Sequence, residues 1–390
     1  MSFSSDIELS EPSLLANQRD LFEIPDDIAY LNCAYVSPLL KHSADAIRKG
    51  VSVEQQPWKI SADDFYDPPD RARKLFASLI GATVDDIAIV PSASYGVATA
   101  AVNIDLTRGQ NIVVLSNQHP SNLYPWRRCT AALEAILKTI HQPEDGDWTT
   151  AILDAIDEQT AAVALPNNHW MDGSLIDLVR IGEATRLVGA AFVVDVSQSL
   201  GAMPLDIGAV QPDFLVAAGY KWMLCPYSIS FLYVAPHRQN GTPIEESPNN
   251  RADSRDFARM AEYRDDFEPG ARRFDVGERA NFILLPGAIA ALEQLIAWNP
   301  ASIQHTLGRT NMQIAERASE LGLTSQSPTF RAGHFLGLSF PKGVPDGLLQ
   351  TLAEKKIYVS VRGDSLRITP HLWVTDNDIE RFFDALEKAL

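Results

Sequence analysis

Two stretches decide the fold of this chain: Phe192-Val193-Val194-Asp195-Val196-Ser197-Gln198, and further on Ala218-Gly219-Tyr220-Lys221-Trp222. Each belongs to a short, nearly all-apolar run, which is typical of a strand buried on both faces of a sheet. The first run leads into a carboxylate, Asp195, and the second into an amine, Lys221. Two such groups at buried strand ends form either an ordinary ion pair or a site for a ligand that needs both.

Apolar runs of the same kind recur between residues 87 and 234, with helix-like segments between several of them. This alternation predicts an α/β fold with a mixed, mostly parallel sheet and helices on both faces. The connections become short after Ala190, so we expect part of the sheet to be antiparallel. The predicted strands are Ile87–Val90, Ile112–Leu115, Ala161–Leu165, Phe192–Val196, Phe214–Ala217 and Ile229–Val234, and the predicted helices include Thr130–Ile140 and Leu175–Val188.

The rest of the chain predicts an N-terminal arm (1–28) and a small α+β domain (281–390) beside a large domain (29–280). Residues 237–273 are rich in charge, Asn and Pro, so we expect a surface excursion with one helix near Asp253–Tyr263. Thr375 and the acids after it suit the start of a last helix. The predicted C-terminal helices are Leu284–Trp298 and Asp376–Leu390, and the predicted C-terminal strands are His334–Phe340, Ile357–Val361 and Ser365–Thr369.

Composition excludes several classes of protein. The 390 residues carry a net charge of −17, from 33 Lys and Arg against 50 Asp and Glu, which argues against nucleic acid or an anionic membrane surface as a partner. Cys33, Cys129 and Cys225 are far apart, so neither a metal site nor a disulfide framework is indicated. The N-terminus lacks the pattern of a signal peptide, and no apolar run reaches the length of a membrane span. We therefore expect a cytoplasmic protein.

Polar residues cluster after three more of the predicted strands, in segments 91–96, 116–122 and 167–173. Taken singly, each cluster has a structural explanation: a serine cap on the helix predicted at Val97–Val102, a loop histidine, and a turn with an aromatic plug. Ligands of parallel sheets bind at the carboxyl ends of the strands, where these clusters lie. Together with Asp195 and Lys221 they favour pyridoxal phosphate, whose phosphate, ring nitrogen and aldehyde need a helix N-terminus, an acid and a lysine.

With these segments the chain resembles a fold-type I pyridoxal-phosphate enzyme of the class V aminotransferase family. That family includes aminotransferases, cysteine desulfurases, selenocysteine lyases, kynureninases and an isopenicillin N epimerase. The resemblance extends from the segment Tyr30–Tyr35 to the C-terminal helix. It implies a large cofactor-binding domain, a small C-terminal domain, and a homodimer with the active site at the subunit interface. It also makes the excursion at 237–279 the candidate for reaching the partner subunit.

The resemblance assigns roles to individual residues. Lys221 matches the Schiff-base lysine and Asp195 the acid on the ring nitrogen, while His119 matches the histidine that stacks on the ring. Arg367 matches the arginine that grips the substrate carboxylate, a task that suits a bidentate guanidinium. From position alone, we expect the substrate pocket to be shaped also by Tyr35, Trp170 and His371. The full set expected to bind the cofactor is Ser92, Ser94, Tyr95, His119, Asn168, Asp195, Ser197, Gln198, Tyr220 and Lys221.

The chain departs from the family pattern at three places. Ala218 stands where many relatives have Ser, and Glu278 follows Gly277 where many have a threonine that contacts the phosphate of the partner subunit. A glutamate would repel phosphate, so we expect Arg279 or another group to replace that contact. Cysteine desulfurases also carry a nucleophilic cysteine shortly before the carboxylate-binding arginine, and the segment Ile357–Arg367 has none. A persulfide mechanism is therefore disfavoured.

The sequence predicts an enzyme that uses pyridoxal phosphate to act on an α-amino acid, most simply a class V aminotransferase. An elimination lyase, a kynureninase-like hydrolase and an epimerase stay open as alternatives, since they start from the same abstraction of the α-proton. A non-catalytic cofactor-binding protein is less favoured because Lys221, Asp195 and Arg367 are all present. A dinucleotide-dependent dehydrogenase is disfavoured because no Gly-x-Gly-x-x-Gly turn follows an early strand.

Overall fold

A seven-stranded sheet forms the centre of the molecule. The computed structural model describes residues 12–390. In this part of the chain the strands are β1 (Ala29–Tyr30), β2 (Ile87–Val90), β3 (Asn111–Leu115), β4 (Ile136–Ile140), β5 (Thr160–Pro166), β6 (Ala191–Asp195), β7 (Phe214–Ala218), β8 (Ser230–Val234), β9 (Leu336–Ser339), β10 (Ile357–Tyr358), β11 (Ser360–Arg362) and β12 (Ser365–Ile368). The central sheet has the order β2-β8-β7-β6-β5-β3-β4.

The strand directions place one set of ends together. Strands β7, β6, β5, β3 and β4 pair in parallel, whereas β8 pairs antiparallel with both β7 and β2. Only β8 therefore runs against the others, as the short connections after Ala190 predicted. The carboxyl ends of the six remaining strands lie along the same edge of the sheet, which is where ligands bind in open α/β folds.

All six predicted strands are present, and their residues are buried throughout. The reason is that helices cover both faces of the sheet, with one apolar cluster on each side. The α/β prediction is thus confirmed. The helices of the described residues are α1 (Lys41–Glu54), α2 (Asp67–Ile80), α3 (Ala93–Val102), α4 (Tyr124–Leu133), α5 (Trp148–Leu153), α6 (Leu178–Leu187), α7 (Ile207–Val210), α8 (Leu285–Trp298), α9 (Pro300–Glu320), α10 (Leu348–Glu354) and α11 (Asp376–Glu387).

The helix predicted over Thr130–Ile140 is wrong in its second half. Helix α4 ends at Leu133 because Glu134 adopts a left-handed conformation with φ 51°, and residues 136–140 then form the edge strand β4. An edge strand is only half covered, so its pattern of apolar and polar residues does not differ clearly from that of a surface helix. The predicted helix Leu175–Val188 is shorter in the structure, where α6 begins at Leu178 after the N-cap Asp177.

The C-terminal segment forms a smaller antiparallel sheet of order β11-β12-β9. The strand predicted at Ile357–Val361 is split: β10 pairs in parallel with β1, and β11 pairs with β12. Helix α11 begins where predicted, with Thr375 and Asp378 forming a capping box. The 21-residue helix α9 and the helices α1 and α2 were not predicted.

The excursion at 237–273 is a chain of turns. The helix expected near Asp253–Tyr263 is wrong, since only the single 3-10 turn Phe257–Arg259 lies there. Charged side chains and a left-handed Asp253 interrupt the segment, so no continuous apolar face exists to hold a helix in place.

Residues 1–11 of the expected N-terminal arm lie outside the described residues. The described part of the arm is tied to the C-terminal half of the chain, because Ser13 and Leu15 donate to side chains of α9 and Gln18 donates to the carbonyl of Leu372. The division into domains 29–280 and 281–390 stays a proposal. Among residues 12–390, no helix combines the length and the apolarity that a membrane crossing needs.

Candidate active site

A cavity of about 350 Å³ opens at the carboxyl edge of the central sheet, above β2, β3, β5, β6 and β7. The structure brings most of the predicted site residues to this one place. Ten of them line the cavity: Ser92, Ser94, His119, Asn168, Trp170, Asp195, Ser197, Gln198, Tyr220 and Lys221. These residues come from five separate strand ends, and the parallel strand direction is what gathers them.

Lys221 lies at the base of the cavity, with only 7% of its surface exposed. Burial lowers the pKa of Lys221 to about 8, because an ammonium loses its hydration there. The charge of Asp195 opposes this shift, while the charges of Arg367 and Arg362 add to it. With this pKa roughly a tenth of the lysine is neutral at pH 7, and a neutral amine is the nucleophile that an aldehyde requires.

Asp195 is fixed by the backbone around it. The Ser197 amide donates to Oδ1 of Asp195 at 2.9 Å, and the Ala218 amide donates to Oγ of Ser197 at 2.9 Å. These two bonds tie the end of β6 to the end of β7. The second carboxylate oxygen remains available to a cationic group in the cavity.

Gln198 is held by three residues to which the sequence analysis assigned no role. Its side-chain amide donates to the carbonyl of Ala34 at 3.3 Å and accepts from the indole of Trp222 at 3.2 Å. The backbone carbonyl of Gln198 lies 2.6 Å from Nε2 of His334, and burial lowers the pKa of His334 to about 4, so the neutral imidazole donates this bond. Only tertiary packing brings residue 334 to this loop, so no local signal could have revealed it.

The serine-rich turn after β2 caps helix α3. Oγ of Ser92 accepts from the Tyr95 amide at 3.2 Å and lies 2.9 Å from Oγ of Ser94. The N-terminus of this ten-residue helix opens into the cavity beside the two hydroxyls, an arrangement that suits an anion. Tyr95 does not line the cavity of the single chain, so its role in cofactor binding stays a prediction; burial and, after it, the charge of Glu245 raise its pKa.

His119 and Trp170 form one wall of the cavity. Their rings meet edge to face with centroids 5.2 Å apart, and Nδ1 of His119 accepts from the Ser121 amide at 3.3 Å. Burial and the charge of Lys221 lower the pKa of His119, so its imidazole is neutral near pH 7. A neutral ring exposed in this wall can stack on a planar ligand.

Asn168 provides the clearest sign that a ligand belongs here. Its side chain is fully buried and lines the cavity, yet neither its Oδ1 nor its Nδ2 has a hydrogen-bond partner among the described residues. A buried amide without partners costs about 1–3 kcal/mol per unsatisfied group, so a bound polar molecule is expected to satisfy it. The hydroxyls of Ser92 and Ser94, the acid Asp195 and the amine Lys221 also match the phosphate, ring nitrogen and aldehyde of pyridoxal phosphate.

Arg367 lies just behind the Trp170 wall and does not itself line the cavity. Its Nε donates to Oγ of Ser360 and its Nη1 to the carbonyl of Trp170, both at 3.0 Å, while its Nη2 is buried without a partner. No carboxylate oxygen within residues 12–390 lies within 4.0 Å of this guanidinium. Burial and the charge of Arg362 lower the pKa of Arg367. A buried arginine without an anion is prepared to receive one.

Three residues that the sequence analysis assigned to the site lie outside the cavity lining of the single chain, and their roles stay predictions. His371 is only 1% exposed and stacks on Trp373 with ring centroids 4.8 Å apart, so it belongs to the core and does not line the cavity. Tyr35 is 57% exposed and also lies outside the cavity lining. Arg279 is buried against Asp275 and donates to Asn250 at 3.1 Å, so it is committed to its own chain, and Glu278 is exposed.

Five further polar residues line the cavity without having been predicted: Gln118, Ser121, Asn122, Tyr227 and Ser228. The first three belong to the polar cluster after β3, so the same strand-end argument could have included them. The last two come from the turn between β7 and β8, where no pattern marks them. Ser228 has φ 71°, a left-handed conformation that only the structure reveals.

Comparison with known proteins agrees with this geometry. The sequence model of the family described as "Aminotransferase class-V" matches residues 59–372. The chain belongs to this family. The resemblance inferred from the sequence is therefore confirmed, and the chain is a pyridoxal-phosphate-dependent enzyme of the class V aminotransferase family.

Individual relatives cover most of the chain. The chain is 26% identical over 320 residues to the uncharacterized aminotransferase YcbU of Bacillus subtilis (strain 168), covering 81% of this chain and 82% of that protein. The apo structure of a cysteine desulfurase from Thermococcus onnurineus NA1 superposes with a TM-score of 0.80 at 19% identity, over 96% and 98% of the two chains. A mutant of C-DES with glycine covalently linked to its PLP cofactor gives a TM-score of 0.82 at 17% identity, over 96% and 100%. These two likenesses establish the shared fold.

Proposed function

We propose that this enzyme transaminates an α-amino acid, with Lys221 as the group that binds the cofactor and moves the α-proton. The observation that carries the proposal is a buried lysine with a pKa of about 8 in a cavity that also contains Asp195. Bound pyridoxal phosphate supplies an aldehyde for the lysine and an electron-withdrawing ring for the substrate carbanion. Elimination and epimerisation remain alternatives that product analysis separates.

The other cavity residues are proposed to hold the cofactor. Asp195 pairs with the ring nitrogen through the carboxylate oxygen that the Ser197 amide leaves available. The N-terminus of α3 with Ser92 and Ser94 holds the phosphate, and the neutral ring of His119 lies against the cofactor ring. Gln198 and Asn168 donate to or accept from the ring substituents, with Gln198 kept in place by Trp222.

Lys221 would transfer the proton, because its amine lines the cavity in which the cofactor and the substrate would bind. Its lowered pKa makes it a general base that is effective near neutral pH. The wall formed by His119 and Trp170 would shield this position from solvent, which would strengthen the interaction of Asp195 with the positive ring nitrogen. Arg367 fixes the α-carboxylate, so that the α-proton points at Lys221.

We propose a homodimer with the cavity at the subunit interface. The support is two exposed aromatic side chains near the cavity. Tyr227 is 66% exposed, and its ring centroid lies 4.6 Å from that of Tyr220. Tyr35 is 57% exposed, and it lies close enough to add to the rise that burial causes in the pKa of Tyr220. Exposed aromatic groups beside a ligand site are typical of surfaces that a partner covers. Measuring the molar mass of the protein in solution tests this, and a monomer at micromolar concentration would contradict it.

Replacing Arg367 tests the assignment of the substrate side. Arg367→Ala should lower kcat/KM for an α-amino acid by roughly 30- to several-thousand-fold, since losing one partner of a buried charge pair costs about 2–5 kcal/mol. Arg367→Lys should recover only part, because an ammonium cannot form two parallel hydrogen bonds. Keto acid, ammonia and sulfide are measured as products, so that transamination is distinguished from elimination.

Two controls accompany this experiment. Arg317→Ala removes an arginine that pairs with Glu380 on the surface and should leave kcat/KM unchanged. The visible absorption of the bound cofactor should be the same in both variants, since Arg367 belongs to the substrate side. Near-wild-type activity in Arg367→Ala, with a larger loss in Arg362→Ala, would reassign the α-carboxylate to Arg362.

A further inference from the structure

A second cavity of about 350 Å³ lies directly behind the wall of the active site. Residues of one segment divide between the two cavities: Asn168 and Trp170 line the first, whereas His169 and Met171 line the second. The hairpin between β11 and β12, which carries Arg362, also lines the second cavity. The segment 168–171 therefore contributes side chains to both spaces.

Arg362 is the cation of this second cavity. Its guanidinium lies over the ring of Trp170, 5.7 Å from the centroid, and its one hydrogen bond is to the carbonyl of Val361 at 2.8 Å. Within the described residues no carboxylate oxygen lies within 4.0 Å of it. Its charge nevertheless reaches the first cavity, because it helps to lower the pKa of Lys221 and of His119.

Two acids line the same cavity, and neither neutralises Arg362. Oδ1 of Asp172 accepts from the Ser174 amide at 2.9 Å, and its Oδ2 accepts from the side chain of Gln142 at 3.1 Å. Asp364 is exposed on the hairpin turn. Burial and the charge of the nearby Arg362 lower the pKa of Arg367, and neither arginine has an anionic partner among residues 12–390. Two neighbouring cations of this kind repel each other, and bound anionic groups offset that repulsion.

We propose that the substrate carries a second carboxylate at the far end of its side chain, which Arg362 binds while Arg367 holds the α-carboxylate. This inference rests on the proposed function. The side chain of the substrate passes along the indole of Trp170, from the first cavity to the border of the second. Such a carboxylate belongs either to a dicarboxylic amino acid or to a molecule with two amino-acid ends, whose distal ammonium would face Asp364.

Matched ligand pairs test the proposal through binding. The cofactor-loaded protein is titrated with three pairs of ligands, in which only the first member has a distal carboxylate: glutamate and glutamine, α-aminoadipate and its distal amide, and 2,6-diaminopimelate and lysine. The Kd of each ligand is taken from the change in visible absorption. The carboxylate member of at least one pair should bind about 10- to 140-fold more tightly, since a hydrogen bond to a charged group contributes about 1.5–3 kcal/mol. A preference confined to the diaminopimelate pair identifies a substrate with two amino-acid ends, and a preference in the first two pairs identifies a dicarboxylic one.

Variants assign the preference to Arg362. Arg362→Ala should reduce the discrimination within the preferred pair to less than about threefold, with the loss on the carboxylate member, and Arg362→Lys should keep part of it. Arg367→Ala should weaken both members of every pair. Equal affinity within all pairs in the wild type, or equal weakening of both members by Arg362→Ala, overturns the inference while leaving the proposed function intact. A spectrum that responds to no α-amino acid overturns the proposed function and the inference with it.

Discussion

At the scale of single residues, the site depends on polar groups that are buried before any ligand arrives. Lys221, Asn168 and Arg367 are each almost inaccessible to solvent, and Asn168 and Arg367 hold atoms without a hydrogen-bond partner in the described chain. Such groups reduce the stability of the protein, so their presence at one strand edge is explained by binding. We expect the burial of Lys221 to change its titration, and the unpaired amide of Asn168 to change the stability of the protein.

The lowered pKa of Lys221 sets the pH dependence of cofactor capture. Only the neutral amine attacks the aldehyde, and with a pKa of about 8 its fraction rises from about 10% at pH 7 to about 90% at pH 9. The rate at which cofactor-free protein gains visible absorption should therefore rise about ninefold over this range and level off above it. An inflection near 10.5 would mean that the lysine is not desolvated. Arg362→Ala should move the inflection to higher pH, because the charge of Arg362 lowers the pKa of Lys221.

Asn168→Ala should separate ligand binding from folding. Without cofactor, its free energy of unfolding should be unchanged or slightly higher, because the amide that is removed has no partner. With cofactor, the stabilisation that binding provides should fall by about 1–3 kcal/mol. Asn311→Ala is the matched control, since that buried amide donates to the carbonyl of Gly333 at 2.9 Å and should destabilise both forms equally. Thermal unfolding with and without cofactor measures both, and an equal loss in both forms for Asn168→Ala would make its role structural.

At the scale of elements, the packing of the helices includes a close approach between α1 and the chain that leads into α8. Helices α1 and α2 both pack against α8, and Gly50 in α1 faces the chain just before α8. A Cβ at Gly50 would lie 2.3 Å from the carbonyl oxygen of Phe282. This contact involves backbone on both sides, so neither helix can relieve it by a rotamer change.

Two glycine substitutions test this packing. Gly50→Ala should lower the free energy of unfolding by about 1–3 kcal/mol, since the added methyl overpacks the α1–α8 contact. Gly308→Ala is the matched change in α9, where the nearest heavy atom to the new Cβ is 3.9 Å away, and it should be neutral or raise stability by about 0.5–1 kcal/mol. Equal effects of the two substitutions in urea denaturation would show that helix propensity, and not the close approach, determines the result.

At the scale of the whole molecule, the fold alone does not determine the chemistry. The chain superposes on a cysteine desulfurase over nearly its full length, yet no cysteine within the described residues lines the cavity. Cys33 and Cys225 are buried and Cys129 is partly so, and burial raises the pKa of all three thiols. Thiols of this kind are poor nucleophiles near neutral pH.

Replacing all three cysteines tests whether sulfur takes part. Substitution of Cys33, Cys129 and Cys225 by Ala should leave turnover within about tenfold of the wild type, which corresponds to about 1.4 kcal/mol in the barrier. A separate test for persulfide on the wild-type protein should be negative. A collapse of turnover that one restored cysteine reverses, together with a trapped persulfide at that residue, would establish a desulfurase.

The sequence by itself determined the parallel sheet and the residues at its strand ends. Buried strands are continuous apolar runs, and their direction follows from the helices between them, so Asp195, Lys221, His119 and Asn168 could be placed at one edge without coordinates. Where the burial pattern is ambiguous, prediction failed, as at the edge strand β4. The family match then confirmed the cofactor that these residues indicated.

Only the tertiary structure decided which distant residues complete the site. The clamp of Trp222 and His334 on Gln198, the position of Arg362 over Trp170, and the burial of His371 among tryptophans all join segments that are far apart in sequence. No local pattern specifies such contacts, because they depend on how the C-terminal sheet packs against the central one. Hydrophobic periodicity fixes which face of an element is buried, but the partner that it meets there is set by the whole fold.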